Sequence, residues 1–253
     1  MIDTHCHLTD HRLRSQLPQV LQRAAAAGVS RIITISTTLA DAIECIEICH
    51  GRDNLRCAIG VHPHHAADAA EGFIDDLRRQ QADPTVVALG EMGLDYHYDF
   101  SPRNGQRSVF EAQLALASDL ARPVVIHCRE AVDDCLAILS AFASVPAVFH
   151  SFTGTADEAR RILDRGYLLG FTGIVTFKKS DELRAAAALT PLERMLVETD
   201  APYLSPEPLR KQKVNEPALV VHTAAAVARI KGVPVPQLDE ITTANATRFY
   251  GWP

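Results

Sequence analysis

Eight short runs of nearly unbroken apolar sequence recur along this chain, near residues 1–5, 31–36, 56–61, 85–90, 123–128, 146–150, 167–171 and 194–198. Arg31-Ile32-Ile33-Thr34-Ile35-Ser36, Thr85-Val86-Val87-Ala88-Leu89-Gly90 and Pro123-Val124-Val125-Ile126-His127 are representative. These runs are rich in β-branched residues and do not alternate with polar ones. A strand reads that way when both of its faces are covered, as in a parallel sheet flanked by helices.

Helical segments fill the gaps. Arg14 to Ala27 is rich in Leu, Gln and Ala and stops at Gly28, a residue suited to the position just past a helix end. Ser101-Pro102 reads as an N-cap followed by proline at the first helical position, opening a helix through about Leu120. Thr155-Ala156-Asp157-Glu158 has capping-box spacing, and its helix ends at Gly166. Glu216-Pro217 opens a further helix that stops near Gly232. Eight strands alternating with helices predict an α/β fold, a closed TIM (β/α)8 barrel of the usual ~250 residues. No Pro/Gly/Ser-rich linker or shift in composition divides the chain, so residues 1–253 read as a single domain.

The formal net charge of −6 argues against a basic surface that grips long nucleic acid. Bound divalent cations reverse the sign of a local field, so a phosphate substrate remains open: an end or a short single strand of nucleic acid. The six cysteines form no C-x-x-C pair and read as reduced, mostly buried thiols. Strand alternation is expected to turn Cys6 and Cys128 away from their histidine neighbours. The N-terminus has neither a basic nor an apolar leader segment, and no apolar stretch approaches the roughly 18 residues of a membrane span. The expectation is a cytoplasmic protein with no membrane association and no evident obligate protein partner.

Several of the apolar runs finish in a potential metal ligand, which suggests strands delivering ligands to one site at their C-terminal ends. His5 and His7, at i and i+2, point to the same face of the first strand and together can grip one cation. Glu91 follows the fourth run directly and is flanked by Gly90 and Gly93; a carboxylate has two oxygens and can bridge two cations. His127 and His150 end the fifth and sixth strands and point to a second cation. Asp200 ends the eighth strand, which neighbours the first in a closed barrel, where it can ligate the His5/His7 cation and take a proton from the attacking water. Glu91 and Asp200 are thus the catalytic candidates, and the expected cofactors are two divalent ions. Imidazoles suit Zn²⁺ or Mn²⁺, whereas carboxylates and water suit Mg²⁺ or Mn²⁺. His62 and His64, in Gly60-Val61-His62-Pro63-His64, read as substrate or phosphate contacts, as does Arg129, whose fork fits a phosphate oxygen pair. His11, His50, His65, His97 and His222 read as solvent-exposed.

The series Ile2-Asp3-Thr4-His5-Cys6-His7, Gly60-Val61-His62-Pro63-His64, Gly90-Glu91-Met92-Gly93-Leu94-Asp95-Tyr96, Ile126-His127-Cys128-Arg129, His150-Ser151-Phe152-Thr153-Gly154, Glu198-Thr199-Asp200-Ala201-Pro202-Tyr203 and Asn215-Glu216-Pro217 resembles the TatD-type metal-dependent deoxyribonucleases. The resemblance spans nearly the whole chain. It implies a TIM-barrel hydrolase of the amidohydrolase superfamily, Mg²⁺- or Mn²⁺-dependent and often a 3′→5′ exonuclease. It also implies His5, His7, Glu91 and Asp200 on one metal, with Glu91, His127 and His150 on the other. One departure is Arg210-Lys211-Gln212-Lys213-Val214, where the family usually reads Arg-Gly-Lys shortly before Asn-Glu-Pro. The glycine is absent and the segment is one residue longer, in a loop placed to touch substrate.

Rival readings are lactonase, phosphotriesterase or cyclic-amide hydrolase activity, hydrolysis of an aminoacyl-tRNA ester, or a non-catalytic metal-binding scaffold. Many of the first group bridge their metals with a carboxylated lysine; Glu91 at the fourth strand favours the nuclease branch. The presence of every ligand and of an acid able to act as base argues against a scaffold.

Overall fold

The computed structural model describes residues 1–98 and 100–252. In chain order its elements are β1 (Ile2–Cys6), α1 (His11–Arg14), α2 (Leu17–Ala26), β2 (Arg31–Ile35), α3 (Leu39–Cys49), β3 (Leu55–Ile59), α4 (Phe73–Gln80), β4 (Val86–Asp95) and α5 (Arg103–Asp119). They continue with β5 (Val124–Arg129), α6 (Val132–Leu139), β6 (Ala147–Phe149), α7 (Ala156–Leu163), β7 (Leu168–Phe171), α8 (Asp181–Leu189), β8 (Met195–Val197), α9 (Val220–Lys231) and α10 (Val235–Tyr250). The sheet has eight strands ordered β1 through β8. The described pairings are parallel. β1 packs beside β8, and just beyond β8 Ala201 pairs with Cys6.

The chain divides into two compact units, one of Met1–Thr34 with Ser151–Pro253 and one of Ile35–His150. The first buries Leu13, Ile32, Ile33 and Phe171; the second buries Leu55, Ile59, Leu77, Phe110 and Phe149. Among the described residues, no single helix is long and apolar enough to cross a membrane.

Every apolar run becomes a strand, within a residue or two at each end except in one case. β4 continues to Asp95 rather than stopping at Gly90, so Glu91 lies inside a strand, not after it. The two glycines flanking Glu91 serve close strand approach. Gly90 and Gly93 both have φ +137°, and a Cβ at Gly90 would lie 2.6 Å from the Val125 carbonyl. A Cβ at Gly93 would collide with the His127 carbonyl. Only a residue without a side chain lets β4 run against β5 there.

The helix ends show a second correction. The long helix after β4 begins at Arg103, with Pro102 at its N-cap. The Ser101 hydroxyl instead donates to the His64 carbonyl at 2.9 Å and accepts from the Ala67 amide at 3.0 Å. The capping box at Thr155 and Glu158 forms as expected. Glu216-Pro217 opens a short 3-10 turn, Pro217–Leu219, that runs into α9.

Candidate metal centre

In the first unit, β1 carries His5 at its C-terminal end and His7 follows one residue beyond; both rings are buried. Asp200 lies three residues past β8, with its backbone in the left-handed region at φ +57°. Such a conformation costs a non-glycine residue about 1–3 kcal/mol and persists only when its surroundings fix it. Here they do. The Asp200 amide donates to the His5 carbonyl at 2.9 Å. Thr199 donates to the Asp3 carboxylate through its amide at 2.9 Å and its hydroxyl at 2.6 Å. Its hydroxyl in turn accepts from the Ala201 amide at 3.1 Å, while the Asn215 amide donates to the Thr199 and Tyr203 carbonyls. Burial pushes the Asp3 carboxyl up to about 8, against the Thr199 hydrogen bonds that favour its charge. Asp200 Oδ1 is thereby held 3.4 Å from His7 Nε2 and 3.8 Å from His5 Nε2.

In the second unit, Glu91 points one oxygen at three imidazoles. Oε1 is 2.6 Å from His150 Nε2, 2.9 Å from His127 Nδ1 and 3.4 Å from His62 Nε2. Asp95, at the end of β4, uses Oδ2 to hold His127 Nε2 and His64 Nε2, each at 2.9 Å. Its Oδ1 accepts from the His97 and Tyr98 amides. His127 is thus held at both nitrogens by carboxylates. Burial works against its charge, but Asp95 and Glu91 prevail and push its pKa up to about 9. Burial keeps His62 neutral, pushing it down to about 3 despite Glu91. Burial would raise both carboxyls; the facing histidines outweigh it and hold Glu91 and Asp95 well below the usual range.

The donor chemistry fits divalent cations. Nitrogen and oxygen ligands about 2.0–2.2 Å from a shared ion sit roughly 3–3.5 Å from one another. The donor atoms of His5, His7 and Asp200 all lie within 4.8 Å of one another, as do those of His62, His64 and His127. Buried imidazoles and carboxylates crowded at this spacing are what a bound cation neutralises and holds together.

His62 and His64, expected as substrate contacts, stand within the histidine group of the second unit, His62 directly against Glu91. Arg129 is exposed, and its guanidinium lies 4.8 Å from the centre of the Tyr98 ring. Of the histidines expected in solvent, His11 is exposed, His50 and His97 are exposed but paired with Asp83 and Glu130, and His222 is half-buried. Cys6 is buried, its thiol 3.6 Å from the Ile33 carbonyl. Sequence reasoning overlooked Asp95, Asp3 and Thr199. A carboxylate inside a barrel strand, two residues before His5, was the available signal for Asp3. Asp95 was masked by the glycines that made its strand look finished.

The chain matches the model of the TatD related DNase family over residues 2–251. It is 39% identical over 255 residues to the uncharacterized metal-dependent hydrolase YcfH of Escherichia coli K12, covering 99% of this chain and 95% of that protein. It is 38% identical over 257 residues to the 3'-5' ssDNA/RNA exonuclease TatD of Edwardsiella piscicida, covering 99% of each. The crystal structure of YJJV, a TatD homolog from Escherichia coli K12, agrees with a TM-score of 0.94 at 27% identity, over 100% of this chain and 98% of that one. The expected fold class, a parallel TIM (β/α)8 barrel, is the one the chain adopts. This chain belongs to the TatD family and is a metal-dependent hydrolase.

Proposed function

We propose that this hydrolase is a 3′→5′ exonuclease that removes nucleotides from the ends of short single strands, DNA foremost, using two divalent cations. The observation that carries this reading is the Glu91 carboxylate surrounded by His62, His127 and His150. A carboxylate among imidazoles is a ligand set of the kind that would hold divalent cations. His5, His7, Glu91 and Asp200 would hold the first ion; Glu91, His127 and His150 would hold the second. Such ions polarise a phosphodiester and bring the pKa of water from ~15.7 toward ~7.

The chain's own residues do the rest. Asp200, fixed by its backbone bonds to His5 and Tyr203, takes the proton of the attacking water as general base. Asp95 orients the His127 and His64 rings. His62, neutral and buried, accepts the His64 amide at Nδ1 (3.0 Å) and turns Nε2 toward Glu91, so it steadies that carboxylate without repelling a cation, and Arg129 supplies a positive fork at the exposed rim. The relative named a 3'-5' ssDNA/RNA exonuclease supports polarity and substrate.

A second reading is hydrolysis of a carbonyl ester such as an aminoacyl-tRNA, because water activated for a phosphodiester attacks a carbonyl as well. The altered loop at Arg210–Val214 is tied by its own bonds, Ser205 Oγ to the Gln212 carbonyl and Gln212 Nε2 to the Val214 carbonyl, both 2.8 Å. Purified protein assayed on 3′- and 5′-labelled single-stranded DNA and RNA, across Mg²⁺, Mn²⁺ and Zn²⁺, separates the two. Stepwise shortening from the 3′ end is expected; inertness on every strand, with turnover of an aminoacyl ester, selects the second reading.

A further inference from the structure

Two large aromatic side chains beside the second unit's histidines are left in the open. Phe100 is 66% and Tyr98 39% exposed. Their rings are nearly parallel, 12° apart with centroids separated by 5.4 Å. Both are fixed to the candidate site. The His64 ring meets Phe100 edge-on at 4.8 Å and Tyr98 at 5.6 Å, and His64 lies 4.3 Å from His62 on its other side. The Tyr98 amide is bound by Asp95, the same carboxylate that holds His64 and His127. The Arg129 guanidinium rests 4.8 Å from the Tyr98 ring centre.

Burying a phenyl ring is favourable, so fixed aromatics left in water beside a cluster of imidazoles point to a flat ligand that covers them. An aromatic pair with an arginine is the surface on which unpaired nucleobases stack, and every base has a π face to offer. We propose that Tyr98, Phe100 and Arg129 form a stacking platform for a nucleobase of the strand whose phosphodiester is hydrolysed at the neighbouring histidines. The proposal rests on the nuclease reading above and deepens it: the single strand is held through the face of one base, without regard to base identity. A comparable pairing flanks the other ligand set, where Tyr203, 48% exposed, lies under Arg12 and beside His7.

The test uses the whole protein, saturated with Mg²⁺, and a 12-nucleotide DNA strand made resistant by phosphorothioate linkages at its 3′ end. An abasic site or a 2-aminopurine is placed at successive positions from that end. Parent protein should quench 2-aminopurine fluorescence at one position, and an abasic site there should weaken binding roughly 5- to 150-fold, the range of one base–aromatic stack. Phe100→Ala and Tyr98→Ala should lose the quenching and bind the intact strand as weakly as parent binds the abasic one. Phe100→Trp should restore both, which separates lost stacking from lost folding. If no abasic position changes the affinity of a parent that binds the intact strand, the platform is wrong and the nuclease reading stands. If parent binds no strand but hydrolyses an ester, both fall.

Discussion

A single carboxylate oxygen decides much of this site. Asp95 divides its duties: Oδ1 accepts two backbone amides and Oδ2 faces two imidazoles. Asp95→Asn would keep the first set through its remaining oxygen but present an amide nitrogen to His127 and His64. A carboxylate on the far nitrogen of a ligating histidine fixes its orientation and raises its basicity, and loss of such a partner costs about 10–100-fold in metal affinity or activity. Calorimetric titration of metal into Asp95→Asn should show that weakening with the melting temperature nearly unchanged; parental affinity would mean that packing alone orients His127. Asp200 is a different case, since it is proposed as both ligand and base. Asp200→Asn keeps the size and one coordinating oxygen but loses basicity. General-base catalysis contributes roughly 10²–10⁴-fold, so turnover at saturating metal should fall by that order. A variant that hydrolyses DNA at the parental rate would assign the proton to another group.

At the scale of elements, the capping box offers a clean measurement away from the site. Thr155 Oγ1 accepts from the Glu158 amide at 3.2 Å, and Glu158 Oε2 accepts from the Thr155 amide at 2.7 Å. Thr155→Ala removes half of that exchange, a loss of about 1 kcal/mol. In a chain of this size that lowers the melting temperature by about 2–4 °C, with activity preserved; no shift in a thermal scan would show the helix start held by packing instead. This motif was legible because it is local: both partners lie within four residues. The strands were legible because burial on both faces leaves an unbroken apolar run. The extension of β4 was not, because whether Gly90 and Gly93 turn or press against a neighbour depends on β5, over thirty residues later in the sequence. The site divides the same way. His5, His7, His127, His150 and Asp200 stand out as polar groups at strand ends. The grip of Asp95 on two histidines, and the pressing of His62 against Glu91, arise only when β3, β4 and β5 lie side by side.

For the whole molecule, charge is negative on balance, yet its positive residues are not evenly spread. Lys178, Lys179, Arg210, Lys211 and Lys213 are all exposed, in the loops that follow β7 and β8. Arg210 lies over the Phe177 ring, its guanidinium 4.2 Å from the centre, which draws the two loops together. Asp200 leads into the second of them, so this basic patch follows the strand end beyond which Asp200 stands. A chain of net charge −6 that meets a short strand through this patch should bind it with a modest salt dependence. Each phosphate neutralised on a single strand contributes about −0.7 to the slope of log affinity against log salt. Lys211→Gln together with Lys213→Gln should flatten the slope by up to about 1.4 if each meets a phosphate. The same pair should raise KM on DNA with kcat unaltered, since both side chains are exposed and lie outside the proposed ligand set. Fluorescence anisotropy across a KCl series, at fixed saturating Mg²⁺, reads the slope directly. An unaltered slope in the double variant would place the strand elsewhere and leave the lengthened loop without a part in substrate binding.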